Sequence, residues 1–335
     1  MLIINKNVQK LLIIDEFMTA IEVTLLGTTS AIPTVERNHP SIYVKYTGRN
    51  EHCFLFDCGE STQRQIFKAN LNFMRIEHIF ITHWHADHFA GLFGLIETMS
   101  LEKRKTPLHI YGPEAERFVN ILLSLGYAVK QFEIKPVNVN FKGSDTETIF
   151  ENDECLILSV PVKHGVPAVA YALIEKDRIK IDKERASQLG LPKSSPIFNK
   201  LKRKGFIIYN GKKIMLDDVC FVEKGKKMVY SGDTKPCENL INIAKNSDLL
   251  ILDCTYFENI KTDKSDEFEN RYHTSLNQAL KIAADTNVKQ LVLTHISRRY
   301  PSQKALEKMV KEEAEKSKIN TDIKVAKDFM RIVLR

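Results

Sequence analysis

The chain has 335 residues, 43% of them hydrophobic and 27% charged, which is typical of a globular protein with one large or two modest domains. No run approaches the 18 apolar residues of a membrane span, and polar residues interrupt the first residues too early for a secretory signal, so we expect a cytoplasmic protein. The formal charge is +7, and the six cysteines form no C-x-x-C pair and lie mostly in apolar runs, which favours structural thiols over metal ligands.

Short apolar runs with the length of β-strands recur along the chain. They fall at residues 21–26, 41–44, 53–56, 79–81, 156–160, 227–230, 249–252 and 290–293. Helical patterns occur between them, at residues 61–69, 87–103, 113–125, 275–285 and 302–316. Because the early strands follow one another as closely as hairpins do, we predict an α/β fold of two mixed sheets packed face to face, with helices outside.

Two segments depart from this order. Residues 1–20 precede the first clear strand, and they are either a weak extra strand, an extension or a wrong start codon. The rest of the chain, 21–335, is expected to form one domain. Within it, residues 172–218 separate two groups of strands and are rich in turn-forming Gly and Pro, which predicts an inserted, protruding arm.

The arm also carries the positive charge of the chain. Residues 176–213 contain twelve Lys or Arg and three Asp or Glu, a local charge of +9, so the remaining residues sum to −2. A concentrated positive patch favours a polyanionic partner, and nucleic acid is preferred over a membrane surface. A solvated lysine-rich surface is the alternative.

Several predicted strands end in an ionisable residue. These residues are Asp57, His83, His164, Asp233, Asp253 and His295. In α/β architectures, ligand sites form outside the carboxyl ends of the strands, so we expect these side chains to gather at one rim of the molecule.

The densest cluster is at residues 82–88, with the sequence THWHADH, directly after an apolar strand. Imidazole and carboxylate groups suit zinc, and the spacing H-x-H-x-D-H can serve two metals. His83 and His85 are placed to hold one metal ion, and Asp87 and His88 a second. A single structural zinc, or a set of hydrogen-bonded core histidines, is the alternative.

The other strand ends supply the remaining ligands. We predict that His164 completes the first site, that His295 completes the second, and that Asp233 spans both metals. A pair of metals 3.5–4 Å apart would hold a hydroxide as the nucleophile and stabilise the attacking and departing oxygens, which predicts hydrolysis of a phosphate ester. Asp87 is the candidate to orient this hydroxide or accept its proton. Manganese or iron accepts similar ligands, so Mn²⁺ and Fe²⁺ stay alternatives to Zn²⁺.

This set of ligands resembles the metallo-β-lactamase fold, and further motifs resemble the tRNase Z family of tRNA 3′-processing endonucleases. They lie at residues 26–34 (LGTTSAIPT), 56–65 (FDCGESTQRQ), 164–167 (HGVP), 231–236 (SGDTKP) and 293–300 (LTHISRRY). The resemblance implies an αββα sandwich, two Zn²⁺ per subunit and a homodimer in which one subunit's arm serves the other's active site. It also implies cleavage of precursor tRNA after the acceptor stem, leaving a 3′ hydroxyl on the tRNA.

The same resemblance implies roles for residues outside the metal cluster. Asp57 would brace a metal ligand, although its position also suits the N-cap of the helix at 60–69. His273 would protonate the leaving ribose oxygen. Arg299 and Tyr300 follow a ligand closely enough to hold the scissile phosphate. Arg37 belongs to a loop associated with sensing the tRNA 3′ end.

Two departures from the family pattern leave questions open. In the loop of Arg37, the usual lysine is Val35, so the handling of transcripts that carry a terminal CCA is undecided. In the arm, residues 193–196 replace a Gly-Pro tip, while the tRNA-binding charge is supplied by Lys200, Lys202, Arg203 and Lys204. A broad-specificity phosphodiesterase of the same fold is the alternative function.

Overall fold

The computed structural model describes residues 19–125, 131–192, 196–257, 272–300 and 302–335. Two seven-stranded mixed sheets pack face to face. An apolar layer that includes Phe54, Phe56 and Tyr171 fills the space between them, and a further apolar layer lies outside each sheet. The predicted arrangement of two mixed sheets with helices outside is therefore confirmed. Most of the predicted extension, residues 1–18, lies outside the described residues.

The first sheet combines the early strands with the last strand of the chain. In spatial order its strands are β18 (Arg331–Leu334), β1 (Ala20–Gly27), β2 (Ser41–Thr47), β3 (Glu51–Phe56), β4 (Ile76–Phe80), β5 (Leu108–Gly112) and β6 (Ile134–Asn138). The pairs β1–β2 and β2–β3 are antiparallel, as their short connections predict, and β3 to β6 pair in parallel.

The second sheet contains the later strands. In spatial order they are β17 (Asp322–Val325), β16 (Gln290–Thr294), β15 (Leu249–Asp253), β14 (Lys227–Tyr230), β9 (Val169–Glu175), β8 (Cys155–Pro161) and β7 (Glu147–Glu151). The strands β14 to β17 pair in parallel, which brings the carboxyl ends of β14, β15 and β16 to one edge. The strands β7, β8, β9 and β14 pair antiparallel.

Helices cover the outer face of each sheet. The first sheet is covered by α1 (Thr62–Lys68), α3 (Leu92–Leu101) and α4 (Ala115–Leu123), and the second by α7 (Glu238–Ala244), α8 (Leu276–Thr286) and α9 (Gln303–Lys316). Short 3₁₀ turns occur at Phe73–Arg75 and Leu216–Asp218. Within the described ranges, no helix combines the length and hydropathy needed to span a bilayer.

The single helix predicted at residues 87–103 is wrong, because the chain forms two helices there. The one-turn helix α2 (Ala86–Phe89) ends before Gly91, which is the N-cap of α3. The N–H of Gly91 donates to the carbonyl of Cys58 at 2.9 Å, and a Cβ on Gly91 would lie 2.1 Å from the carbonyl oxygen of Gly59. This close approach fixes the break and holds α2, which carries the predicted ligands Asp87 and His88, against the loop after β3.

The arm leaves the second sheet after β9 and returns at β14. Its base is the antiparallel pair β10 (Arg178–Ile181) and β13 (Cys220–Glu223), and beyond this pair lie α5 (Lys183–Gln188), α6 (Ile197–Lys204) and a hairpin of β11 (Phe206–Tyr209) and β12 (Lys212–Met215). These elements surround an apolar cluster of their own, centred on the fully buried Leu201. Residues 172–175 still belong to β9, so the arm starts later than the predicted 172–218 and ends beyond it. Residues 193–195 of the predicted tip lie outside the described residues.

Candidate metal centre

The H-x-H-x-D-H motif lies where the two sheets meet at their carboxyl ends. The chain leaves β4 and crosses toward the second sheet through residues 81–88. There the N–H of Val169 in β9 donates to the carbonyl of Thr82 at 3.0 Å. Close by, Thr29 forms an isolated bridge with Ile296, which follows β16. These backbone contacts join the rims of the two sheets and bring their ionisable strand ends together.

The structure brings together all seven predicted ligands in two adjoining groups. The first group is His83, His85 and His164, and the second is Asp87, His88, Asp233 and His295. Within each group the candidate ligand atoms all lie within 4.8 Å of one another, close enough to share one metal ion.

In the first group, three imidazoles face a common point. His85 Nδ1 lies 3.0 Å from His83 Nε2 and 3.2 Å from His164 Nε2. Burial lowers the pKa of all three histidines, and together with the neighbouring imidazoles it outweighs Asp233, which raises the pKa of each. The group is therefore held in the neutral form that binds metals.

In the second group, Asp233 lies between the other ligands. Its carboxylate oxygens are 3.3 Å from His88 Nε2 and 3.1 Å from His295 Nε2, and Asp87 Oδ2 is 3.5 Å from both nitrogens. Asp233 Oδ2 is also 3.8 Å from Nε2 of His83 in the first group. One carboxylate thus reaches both groups, as a ligand that bridges two metals must.

The donor set fits divalent cations. The Nε2 atoms of His88 and His295 are buried, and although carboxylate oxygens lie 3.1–3.5 Å away, no contact has the geometry of a hydrogen bond; such nitrogens point to a ligand. Burial opposes the charge on His88, but Asp233, Asp57 and Asp87 outweigh it and raise the pKa of that histidine. Without a metal, these groups neutralise one another as ion pairs, so metal binding displaces protons from them.

Asp57 lies against His88 and not at the N-terminus of α1. Its fully buried carboxylate accepts from His88 Nδ1 at 2.7 Å, from the Tyr230 hydroxyl at 2.7 Å and from the N–H of Thr82 at 2.8 Å. The N-cap of α1 is Ser61. Of the two predicted roles of Asp57, the structure therefore supports orientation of His88, a predicted metal ligand.

His273 stands beside the second group. Its ring stacks on that of His295, with centroids 5.2 Å apart, and its Nδ1 donates to Asp253 Oδ2 at 2.9 Å. Burial lowers the pKa of His273, but the carboxylate of Asp253 outweighs burial and raises it above the usual value. His273 therefore binds a proton more tightly than a histidine in water does, and its Nδ1 is engaged by Asp253.

Sequence reasoning named Asp253 as a strand end but assigned it no role. The structure shows its carboxylate fully buried, with further hydrogen bonds from the N–H of Thr234 at 3.1 Å and from the hydroxyl of Thr255 at 2.8 Å. A charged residue that ends an otherwise apolar, central strand was the available signal. The spacing of Asp253 and His273 along the chain does not predict that the two residues are in contact.

The predicted substrate-binding residues outside the arm differ in their exposure and contacts. Arg299 is exposed in the turn that follows His295, and Tyr300 packs against Phe257 with ring centroids 5.5 Å apart. The structure does not support the predicted contact between Arg37 and the tRNA 3′ end. The guanidinium of Arg37 is buried and donates to Thr28, Ala326 and Gln303. Because these donors serve the fold, Arg37 is not available as the RNA contact that the sequence suggested.

The cations predicted in the arm lie on α6. Lys200, Arg203 and Lys204 are exposed, and Lys202 is partly buried. The opposite side of this helix carries Leu201 into the cluster of the arm. The structure therefore places the charge on the solvent side of the arm, apart from the metal-binding groups on the main body.

Two family models match the chain. Residues 21–179 match a model described as Anti-Pycsar protein Apyc1, and residues 219–296 match the Beta-lactamase superfamily domain. The residues between the two matches, 180–218, make up most of the arm. The two models thus leave most of the arm unmatched, together with residues 1–20 and 297–335.

Solved structures show the fold. The short form of human tRNase Z superposes with a TM-score of 0.62 at 24% identity, covering 93% of this chain and 98% of that one. The metallo-β-lactamase fold protein YhfI from Bacillus subtilis gives a TM-score of 0.63 at 16% identity, covering 95% and 100%. The predicted metallo-β-lactamase fold is confirmed.

Other relatives share more sequence identity with this chain than these two solved structures do. Ribonuclease Z from Archaeoglobus fulgidus is 40% identical over 314 residues, which are 93% of this chain and 97% of that protein. Ribonuclease Z from Thermococcus gammatolerans is 43% identical over 283 residues, covering 84% and 85% of the two proteins. With this identity over nearly its whole length, and with the seven predicted ligands gathered at the strand ends, the chain belongs to the ribonuclease Z family.

Proposed function

We propose that the chain is a metal-dependent endoribonuclease that removes the 3′ trailer of precursor tRNA and leaves a 3′ hydroxyl on the tRNA. The observation that carries the proposal is the pair of adjoining ligand groups with His273 beside them. Such a site supplies both a place for metals and a proton donor, which hydrolysis of an unactivated phosphodiester requires. The ribonuclease Z relatives supply the substrate class.

Two Zn²⁺ per chain are the metals that the donors fit best, with Mn²⁺ and Fe²⁺ as alternatives. His83, His85 and His164 would hold one ion, Asp87, His88 and His295 the other, and Asp233 both. When bound, such ions activate water and neutralise the charge of the phosphate.

The side chains divide the proton transfers between them. Asp87 is 8% exposed, more than the other members of the second group, and its carboxylate would orient the attacking water or accept its proton. His273 Nε2 donates a proton to the ribose O3′ as the bond from phosphorus to this oxygen breaks. Asp253 holds Nδ1 and so keeps Nε2 directed at the leaving group.

Positively charged side chains that are not metal ligands position the substrate. The exposed guanidinium of Arg299 follows a ligand in the chain and suits the scissile phosphate. The exposed charges of α6 suit the phosphates of the folded tRNA body. We further propose a cytoplasmic homodimer, in which the arm of one subunit serves the other.

Incubation with a precursor tRNA, with and without a chelator, tests this function directly. We expect one cut after the acceptor stem, a 3′ hydroxyl on the tRNA, and loss of cleavage when the metal is removed. Asp87→Ala should abolish the cut without unfolding the chain. A broad-specificity phosphodiesterase would instead hydrolyse small diesters as efficiently as precursor tRNA, and this result would reject the proposal.

A further inference from the structure

The arm exposes large apolar side chains more densely than the rest of the described chain. Among the described residues, fifteen large hydrophobic side chains are exposed, and six of these lie between Leu189 and Val222. Three belong to the β11–β12 hairpin: Phe206 is 38% exposed, Ile208 71% and Met215 43%. Single exposed apolar residues are ordinary, but a cluster on one short hairpin indicates a binding surface.

The register of the hairpin puts these side chains on one face. Phe206 is opposite Met215, and Ile208 is opposite Lys213, so all four project from the same side. The intervening isoleucine pair projects from the other side, is 3% exposed, and joins the apolar cluster of Leu201 in α6. The hairpin therefore has an inner face that is fully used by the arm and an outer apolar face that is not.

Positive charge accompanies this outer face. The ammonium group of Lys213 lies 4.7 Å from the centre of the Phe206 ring, and Lys200, Arg203 and Lys204 are exposed on the adjoining helix. An aromatic side chain with flanking cations matches an RNA nucleotide, because the base stacks on the ring and the phosphate pairs with the cation. A second copy of the chain, meeting this face with its own, would bring like charges together.

We propose that the outer face of the β11–β12 hairpin is a base-binding surface for an unpaired or end-exposed nucleotide of the RNA substrate. Phe206 is the stacking side chain, Ile208 and Met215 widen the apolar surface, and Lys213 neutralises a phosphate. The inference rests on the proposed function, since it requires an RNA substrate. In this arrangement, α6 contacts the phosphate backbone of the RNA and the hairpin contacts a base.

The salt dependence of binding separates these two contacts. Affinity for a precursor tRNA is measured in the Asp87→Ala background, to prevent cleavage, between about 50 and 200 mM salt. Phe206→Ala should weaken binding by about 10-fold at every salt concentration, with an unchanged slope of log affinity against log salt. Lys204→Ala should instead reduce that slope by about one. Phe206→Trp should bind as well as the parent, because stacking is restored.

Matched controls make each outcome decisive. Phe221→Ala removes a phenylalanine of the arm that is 46% exposed but lies outside the hairpin, and it should leave affinity unchanged. Phe206→Ala should also keep the thermal unfolding curve and the limited-proteolysis pattern of the parent chain, which shows that the arm is still folded.

Three results would overturn the inference. One is an affinity of Phe206→Ala equal to that of Phe221→Ala. Another is a change of oligomeric state in sedimentation with affinity per site preserved, which would make the hairpin an interface between copies. If the parent chain itself fails to bind precursor tRNA, the proposed function is rejected together with the inference, whereas the first two results reject the inference alone.

Discussion

Each of two buried carboxylates orients two imidazoles of the site. Asp57 contacts His88 directly, and it accepts from the hydroxyl of Thr82, which in turn accepts from His83 Nδ1 at 3.1 Å. Asp253 repeats this pattern: His273 is contacted directly, and the hydroxyl of Thr255 links the carboxylate to His295 Nδ1 at 2.9 Å. Since the Nδ1 atoms are occupied, Nε2 of each ring is left for the metal or the substrate.

His273→Ala is predicted to separate substrates by their leaving groups. Cleavage of precursor tRNA should fall by about 100- to 10,000-fold, because the ribose oxygen must be protonated as it leaves. Hydrolysis of bis(p-nitrophenyl) phosphate should change only slightly, since nitrophenolate leaves without a proton. Steady-state rates on both substrates provide the measurement. Equal losses on the two would place His273 in metal binding and contradict the proton-donor role.

Thr255→Val is predicted to weaken metal binding. The substitution keeps the shape of the side chain but removes the hydroxyl that holds His295, and loss of such a contact typically costs about 10- to 100-fold in metal affinity. Competition with a coloured chelator measures the affinity. Thr255→Ser restores the hydroxyl and should restore the affinity, and a serine variant as weak as the valine variant would show that packing, not the hydrogen bond, is responsible.

At the scale of elements, the arm is attached to the body but packed separately from it. Its apolar cluster shares no residue with the three apolar layers of the two sheets. The chain enters and leaves it through paired strands, in which Ile181 is opposite Cys220. This pairing provides a point at which the arm can be removed without cutting the sheets.

Replacing residues 182–219 by Asn-Gly should close β10 and β13 as a two-residue hairpin. We expect the affinity for precursor tRNA to fall by at least about 100-fold and to lose much of its salt dependence, because the phosphate contacts of α6 are gone. Hydrolysis of a small diester should persist, since every predicted metal ligand is retained. Binding titrations and diester assays check the two expectations, and a parallel loss of both would show that the arm supports the metal site.

At the scale of the whole molecule, the metal centre joins the two sheets. The first sheet supplies His83, His85, Asp87 and His88, and the loops of the second supply His164, Asp233 and His295. Four of these seven side chains, Asp87, His88, Asp233 and His295, form a buried group of charges. Bound metals would therefore stabilise the contact between the sheets as well as take part in catalysis.

Metal removal is accordingly predicted to destabilise the fold. At a free metal concentration of about 1,000 times Kd, binding adds about 4 kcal/mol to the free energy of unfolding, which for a chain of this size corresponds to a shift in Tm of about 6 °C. Calorimetry before and after chelation measures the shift, and elemental analysis should find two metal ions per chain. Asp233→Asn should bind less metal and respond less to the chelator. A Tm that is the same before and after chelation would contradict the prediction.

The sequence by itself determined the parts of this protein that depend on local spacing. The H-x-H-x-D-H run, the ionisable strand ends and the apolar runs were enough to predict the two sheets and to nominate seven ligands, because strand ends at one edge converge in any such fold. Short or polar strands such as β6 (Ile134–Asn138) and β7 (Glu147–Glu151) were missed, since they are only partly buried and lack a clear apolar pattern.

Only the tertiary structure decided which distant groups touch. Tyr230 reaches Asp57 across 173 residues because the two sheets face each other, and Asp253 meets His273 because β15 ends beside the start of α8. Arg37 is likewise buried because its loop packs against residues far away in the chain, such as Ala326. The outer face of the β11–β12 hairpin depends on the register in which the two strands pair. Hydrogen bonds of this kind depend on three-dimensional proximity, which spacing along the sequence does not encode.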